Sequence, residues 1–279
     1  MWKYRNSWQV ELAAFVAALL CAPILQAQTS APAAAAPSAA ATSGAGRAEG
    51  AQARVHVPDL SGDWTIAAGG RSLDPDDPNG NKPEQLPMTA WGREQLKNAK
   101  PPFGAAETFD TNDPVQKFCD PPGPTRLYQY PWQFTLVQTP TRVYVLFEYL
   151  HVWRVVTMNH PHAKDLDATW LGDSVGKYED DALVVDTIGF NDKTWLDNSG
   201  HPHSDALHLV ERFQRPSHDS LQLALTVDDP KAYTKPFTAM RTFKLSAFPM
   251  GETMCSLSED QEFQKSVMDQ TLGSQPAKK

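Results

Sequence analysis

The chain has 279 residues, 41% of them apolar, and its 33 acidic residues outnumber its 25 basic ones to give a net charge of −8. Nucleic-acid binding draws on clustered Lys and Arg. Here the bases are scattered, with no run that could track phosphates or an anionic membrane. The balance argues against a nucleic-acid partner and favours a small molecule.

At the amino terminus, Lys3 and Arg5 precede an apolar run from Leu12 to Ala22 and a Leu25-Gln26-Ala27 sequence suited to signal peptidase. This is the pattern of a secretory signal peptide over 1–27, which places the protein in the periplasm or outside the cell. The run is shorter than the roughly 20 apolar residues a spanning helix needs, so no membrane span is expected. Leu20 stands immediately before Cys21, where lipidation signals want a small residue. Loss of the leader removes two bases and one acid and takes the charge from −8 to −9.

Residues 28–54 are rich in Ala, Pro, Ser, Thr and Gly, with no aromatic residue, so burial cannot offset the entropy of ordering them; they read as a disordered linker. A single domain over 55–270 is long enough for a sizeable core, and 271–279 reads as a disordered tail. After the leader is removed, Cys119 and Cys255 remain as an even pair in an oxidising compartment and are expected to form a disulfide.

Within that domain the organisation is β. Trp132 to Thr139 and Arg142 to Tyr149 flank Pro140-Thr141 as a hairpin, with His151 to Met158 as a third strand. Ser174 to Tyr178 and Ala182 to Ile188 flank Glu179-Asp180-Asp181 as a second hairpin. Ala206 to Gln214, Leu221 to Val227 and Thr238 to Leu245 supply three more strands, with a turn over Pro216 to Ser220. Leu221, Leu223, Leu225 and Val227 alternate with Gln222, Ala224, Thr226 and Asp228, the signature of one core face and one wetter face. Thr89 to Ala99 reads as a short helix, and Ser256-Leu257-Ser258-Glu259 as a capping box before a C-terminal helix.

Leu60-Ser61-Gly62-Asp63-Trp64 resembles the Gly-x-Trp opening of lipocalin-like barrels. The resemblance implies an all-β, mostly antiparallel lipocalin or calycin-like barrel, closed on itself around a ligand cavity. A β-sandwich is the alternative.

The chain also resembles an uncharacterised family of exported bacterial β-rich proteins. That likeness covers about Pro58 to Cys255. It rests on Pro58-Asp59-Leu60-Ser61-Gly62-x-Trp64, Cys119-x-Pro121-Pro122-Gly123, Phe147-Glu148-Tyr149, and the stretch from Leu183 through Gly189-Phe190-Asn191-Asp192-Lys193-Thr194-Trp195-Leu196-Asp197. Gly200-His201-Pro202-His203-Ser204 and Asp228-Asp229-Pro230-Lys231 complete it. The resemblance implies kinship and export and leaves the chemistry open. His162 fits the family pattern; His160 does not.

Chemistry is expected where the strand pattern breaks. The connection 189–205 is far longer than a hairpin loop and rich in side chains that donate, accept or ligate. In His201-Pro202-His203, residues two apart in extended backbone point the same way and offer two imidazoles to one ion. A divalent transition metal such as zinc would take His201 and His203 with His162 or His208 as the third ligand. The rival assignment makes His201, His203 and His162 proton-transfer groups, oriented by Asp192 and Asp197.

A second group, Glu148, His151 and Arg154 with Trp170, Trp195 and His208, is the candidate substrate surface. Glu148 and Arg154 share a strand face only if no turn intervenes, and the plainer reading is a buried salt bridge and a satisfied histidine. The tryptophans read more often as core. Glu211 and Arg212 read as flanking a strand surface; the alternative, from the parity Glu211 shares with Leu209 and Phe213, is an inward carboxylate.

No Gly-x-Ser-x-Gly elbow, phosphate-binding Gly-rich loop, Cys-x-x-Cys or His-Glu-x-x-His helix occurs. The functional expectation is a hydrolase or lyase acting on a small hydroxylated or aromatic molecule through a His/Asp loop at a barrel mouth. The alternative is a non-catalytic small-molecule carrier.

Overall fold

A computed structural model describes residues 57–68, 70–79, 85–102 and 110–256. The expected signal peptide, linker, C-terminal helix and tail lie outside the described residues. Nine strands follow one another around a closed barrel, each bonded to the next and the last to the first. β1 (Gly62–Ala68), β2 (Phe134–Gln138), β3 (Arg142–Phe147) and β4 (Trp153–Met158) make one antiparallel meander. β5 (Asp173–Glu179), β6 (Ala182–Ile188), β7 (His208–Ser217), β8 (Ser220–Asp228) and β9 (Phe237–Leu245) make another.

The barrel closes through β9 on β1, with Trp64 opposite Leu245, which sets the sandwich alternative aside. The seam between the meanders, β4 against β5, is parallel. Parity requires such a seam: direction alternates at every antiparallel pair, so an odd number of strands cannot alternate all the way round a ring. The parallel pair in turn needs a crossover, and residues 159–172 carry the chain back along the outside of the barrel.

Following the strand directions, the connections 69–133, 148–152, 189–207 and 229–236 all emerge at one end. Among the described residues, three helices lie in the first of them: α1 (Ala90–Asn98), α2 (Pro114–Phe118) and α3 (Gly123–Leu127). Thr89 caps α1 by accepting from the Gly92 amide at 3.0 Å, and its hydroxyl donates to the Lys231 carbonyl at 2.6 Å. Gly92 is required there, because a Cβ would lie 2.3 Å from the Ala232 carbonyl oxygen.

The alternation read in β8 is realised: Leu221, Leu223, Leu225 and Val227 are fully buried. Where the lipocalin resemblance implies a hollow, side chains fill the lumen. Tyr128, at the end of α3, is lowered into it like a stopper. Its ring meets Phe134, Phe147, Phe213 and Phe243 edge-on, with centroids 5.2 to 6.2 Å apart.

Beside Tyr128 lies a buried ion pair in which Arg154 donates from both terminal nitrogens to Glu211. Arg154 also donates to the Ser174 hydroxyl at 2.9 Å and the Thr187 hydroxyl at 2.7 Å. Glu211 therefore points inward, which corrects the strand-surface reading and follows the alternative its parity left open. Cys119 and Cys255 form a disulfide, with Cα atoms 5.7 Å apart.

Candidate functional site

The connection 189–207 is organised around Asp197, which is wholly buried. One oxygen accepts the amides of Ser199 and His201 at 2.9 and 3.2 Å; the other accepts the Leu73 amide at 2.7 Å and the Nδ1 of His201. Burial opposes ionisation of this carboxyl, but His201 and the amides outweigh it and hold it below the usual carboxylate range. A carboxylate with this many donors bends a polar loop back on itself without leaving backbone groups unsatisfied.

Two further anchors fix the loop to its surroundings. Arg126 of α3 makes a bidentate pair with buried Asp113, the N-cap of α2, and reaches the Asn198 side chain at 2.9 Å. Thr125 donates to the Leu196 carbonyl at 2.7 Å. On the other side, buried Asp229 accepts from the Ser204 amide at 2.5 Å and hydroxyl at 2.9 Å, tying the loop to the connection 229–236.

Held in this way, the loop forms one wall of a cleft of about 160 Å³ at the barrel end, lined by Asp192, Lys193, Thr194, Trp195 and His203, with Trp91 and Gln95 of α1 opposite. His203 is 4% exposed, and its Nδ1 lies 3.1 Å from the Ser204 carbonyl. A carbonyl only accepts, so Nδ1 carries the proton. In the neutral ring Nε2 is then a lone pair, and it has no hydrogen-bond partner among the described residues. Burial lowers the His203 pKa below its ordinary value, against the opposing pull of Ser204, Asp229 and Asp192. A lowered pKa favours the neutral ring at physiological pH.

The predicted site residues thus divide into several groups. His203, Asp192 and Trp195 share the cleft, with the Asp197 and His201 pair packed into the loop behind them. Trp170 lies alongside, with the Lys193 ammonium 5.2 Å from its ring centre. His162 and His208 are elsewhere, on the outer wall of the barrel. His162 bridges Asp173 at 2.8 Å and Asp186 at 2.9 Å, while His208 meets the other oxygen of Asp186 at 2.9 Å. The four imidazoles do not gather on one point, and no group of three His, Cys, Asp or Glu among the described residues is placed to hold an ion.

Glu148 and Arg154 are also separated. Leu150 and His151 take positive φ in a tight turn that resets the strand parity, so Arg154 turns into the lumen while Glu148 stays at the rim and accepts the Gln133 amide at 3.2 Å. His151 is exposed in that turn.

Residues that sequence reasoning did not single out are Lys193, Gln95, Trp91, Arg126 and Asp113. Lys193 stood within the flagged loop. The others come from the β1–β2 connection, and nothing in their local pattern announces the contact.

Comparison of the chain with protein-family profiles, with curated proteins and with solved structures finds no match. What the fold and site define is a closed nine-stranded mixed β-barrel, consistent with a lipocalin-like barrel, bearing a His-containing cleft at the end where its long connections meet. Among the described residues no helix is long and apolar enough to cross a membrane.

Proposed function

We propose that the protein is a periplasmic or secreted enzyme that acts on a small hydroxylated or aromatic molecule by hydrolysis or elimination in the loop-end cleft. The observation that carries this reading is the His203 imidazole: neutral, tied down at Nδ1, and lining a cleft with Nε2 available. That is the state a general base needs. His203 takes a proton from water or from the substrate at Nε2, while its Nδ1–H stays bonded to the Ser204 carbonyl. The nearby Asp192 carboxylate favours the imidazolium so formed, and the Lys193 ammonium offsets negative charge developing on a substrate oxygen. The cleft volume compares with the about 150 Å³ that accommodates a benzene ring, which suits one ring or one reacting end of a larger molecule. The disulfide fits an oxidising compartment.

A carrier holding its ligand inside the barrel finds less support, since the lumen is packed with rings and the Arg154–Glu211 pair.

The test is a turnover assay on purified protein with a panel of aryl esters and β-hydroxy aryl acids. His203→Gln should lower turnover by about 100-fold or more. His151→Ala, in an exposed turn, should leave it unchanged. No turnover across the panel, or full turnover in a folded His203→Gln protein, overturns the reading.

A further inference from the structure

The outer-wall cluster plays no part in that reading, and its chemistry is of another kind. His162 belongs to the crossover that makes the parallel seam possible. Its Nδ1 meets Asp173 on β5 and its Nε2 meets Asp186 on β6. Carboxylates accept and do not donate, so both ring nitrogens must carry protons for both contacts to be hydrogen bonds. A neutral imidazole has one N–H; one carboxylate would then face a lone pair.

The crossover is thus fastened by a contact that exists in full only when His162 is charged. Asp186 gives its second oxygen to His208, the first residue of β7 and the end of the connection that bears the cleft. The same carboxylate therefore joins the outer strap to the root of the functional loop.

We propose that Asp173, His162, Asp186 and His208 form a proton-gated clasp that holds the crossover against β5 and β6 and slackens as the pH rises and His162 loses its second proton. Other charged groups stand near it: Glu179 pairs with Lys177 at 2.7 Å, and Lys164, Asp165 and Asp167 lie in the same connection as His162. Lys177 of β5 acts on Asp186 from a distance, and His160, in the same connection, is turned to the Pro161 carbonyl at 2.8 Å. Burial of the His162 ring works against its charge, but the hydrogen bonds to Asp186 and Asp173 outweigh that and raise its pKa above 6.5.

The structure provides a local reporter, because the Ala163 amide donates to the same Asp173 oxygen that His162 uses, at 3.3 Å. An NMR titration of the full chain should show the His162 ring and the Ala163 amide moving together, with one midpoint above 6.5, and the His208 amide following. Asp186→Asn should lower the His162 midpoint by about one unit. His162→Gln should leave the Ala163 amide without a titration in that range. A His162 midpoint at or below 6.5 in the unaltered protein, an Ala163 amide that ignores it, or an unchanged midpoint in Asp186→Asn would each overturn the proposal. None of these readouts depends on turnover, so the clasp can fail while the enzymatic reading stands, and the reverse.

Discussion

His203 and His162 show how two imidazoles in one protein are tuned in opposite directions by their neighbours. His203 sits against a carbonyl in a buried wall, and burial dominates; His162 sits between two carboxylates on the outer face, and charge dominates. An NMR titration should place the His203 midpoint below 6.5, on the opposite side of that value from His162.

The sign for stability follows. Between the folded and unfolded pKa values of His203, the unfolded chain binds a proton the folded chain refuses. The folded state therefore loses stability as the pH falls below about 6.5, which urea denaturation at a series of pH values would measure. Of the histidines, spacing alone identified His201 and His203 as a pair, but it could not distinguish their tasks. His201 turns to Asp197, four residues before it, and His203 turns to its own neighbour's carbonyl. That difference depends on how the loop folds around Asp197, information no local pattern contains.

At the scale of elements, the strands were legible because their side chains alternate and short polar turns separate them, and the observed β2, β3, β5 and β6 keep close to the expected bounds. The parallel seam was not legible, because pairing between β4 and β5 leaves no mark on either strand. α2 and α3 were missed for a different reason. Five-residue helices that begin at Pro114 and Gly123 are too short for a 3.6-residue period to register.

Yet these two helices set the inner wall of the site, through an ion pair in which both partners are essentially inaccessible. Arg126→Met would leave the Asp113 carboxylate buried and unpaired, and should cost about 3 to 5 kcal/mol in chemical denaturation. The Arg154–Glu211 pair makes the sharper comparison. Arg154→Met should be destabilising by a similar amount, about 3 to 5 kcal/mol, and adding Glu211→Leu to it should recover much of the loss by removing the orphaned charge. If the double variant is as unstable as the single one, packing around the guanidinium stem, and not charge, is what the pair supplies.

The whole molecule is tied together by a disulfide spanning 136 residues. Cys119 ends α2, and the segment that delivers Cys255 runs past the β3–β4 turn, where the Leu150 amide donates to the Thr253 carbonyl at 3.1 Å. A link across so many residues restricts the unfolded chain by about 5 kcal/mol on the chain-entropy account. Cys119→Ser with Cys255→Ser should lose at most about that much, read as a shift in the urea midpoint.

The parallel seam bears on how the molecule assembles. β2 to β4 and β5 to β9 pair between close segments, whereas β1 meets β2 only across the connection 69–133, and each meander alone leaves an inward face exposed and two raw edges. The circle is completed by joining β4 to β5 over three residue pairs and β9 to β1 over four, the latter between segments from opposite ends of the domain. A pairing as distant in sequence as β9 with β1 forms slowly. The barrel is therefore two half-shells that meet around the Tyr128 stopper, and its long-range pairings, β9 with β1 and β1 with β2, are the ones expected to form last.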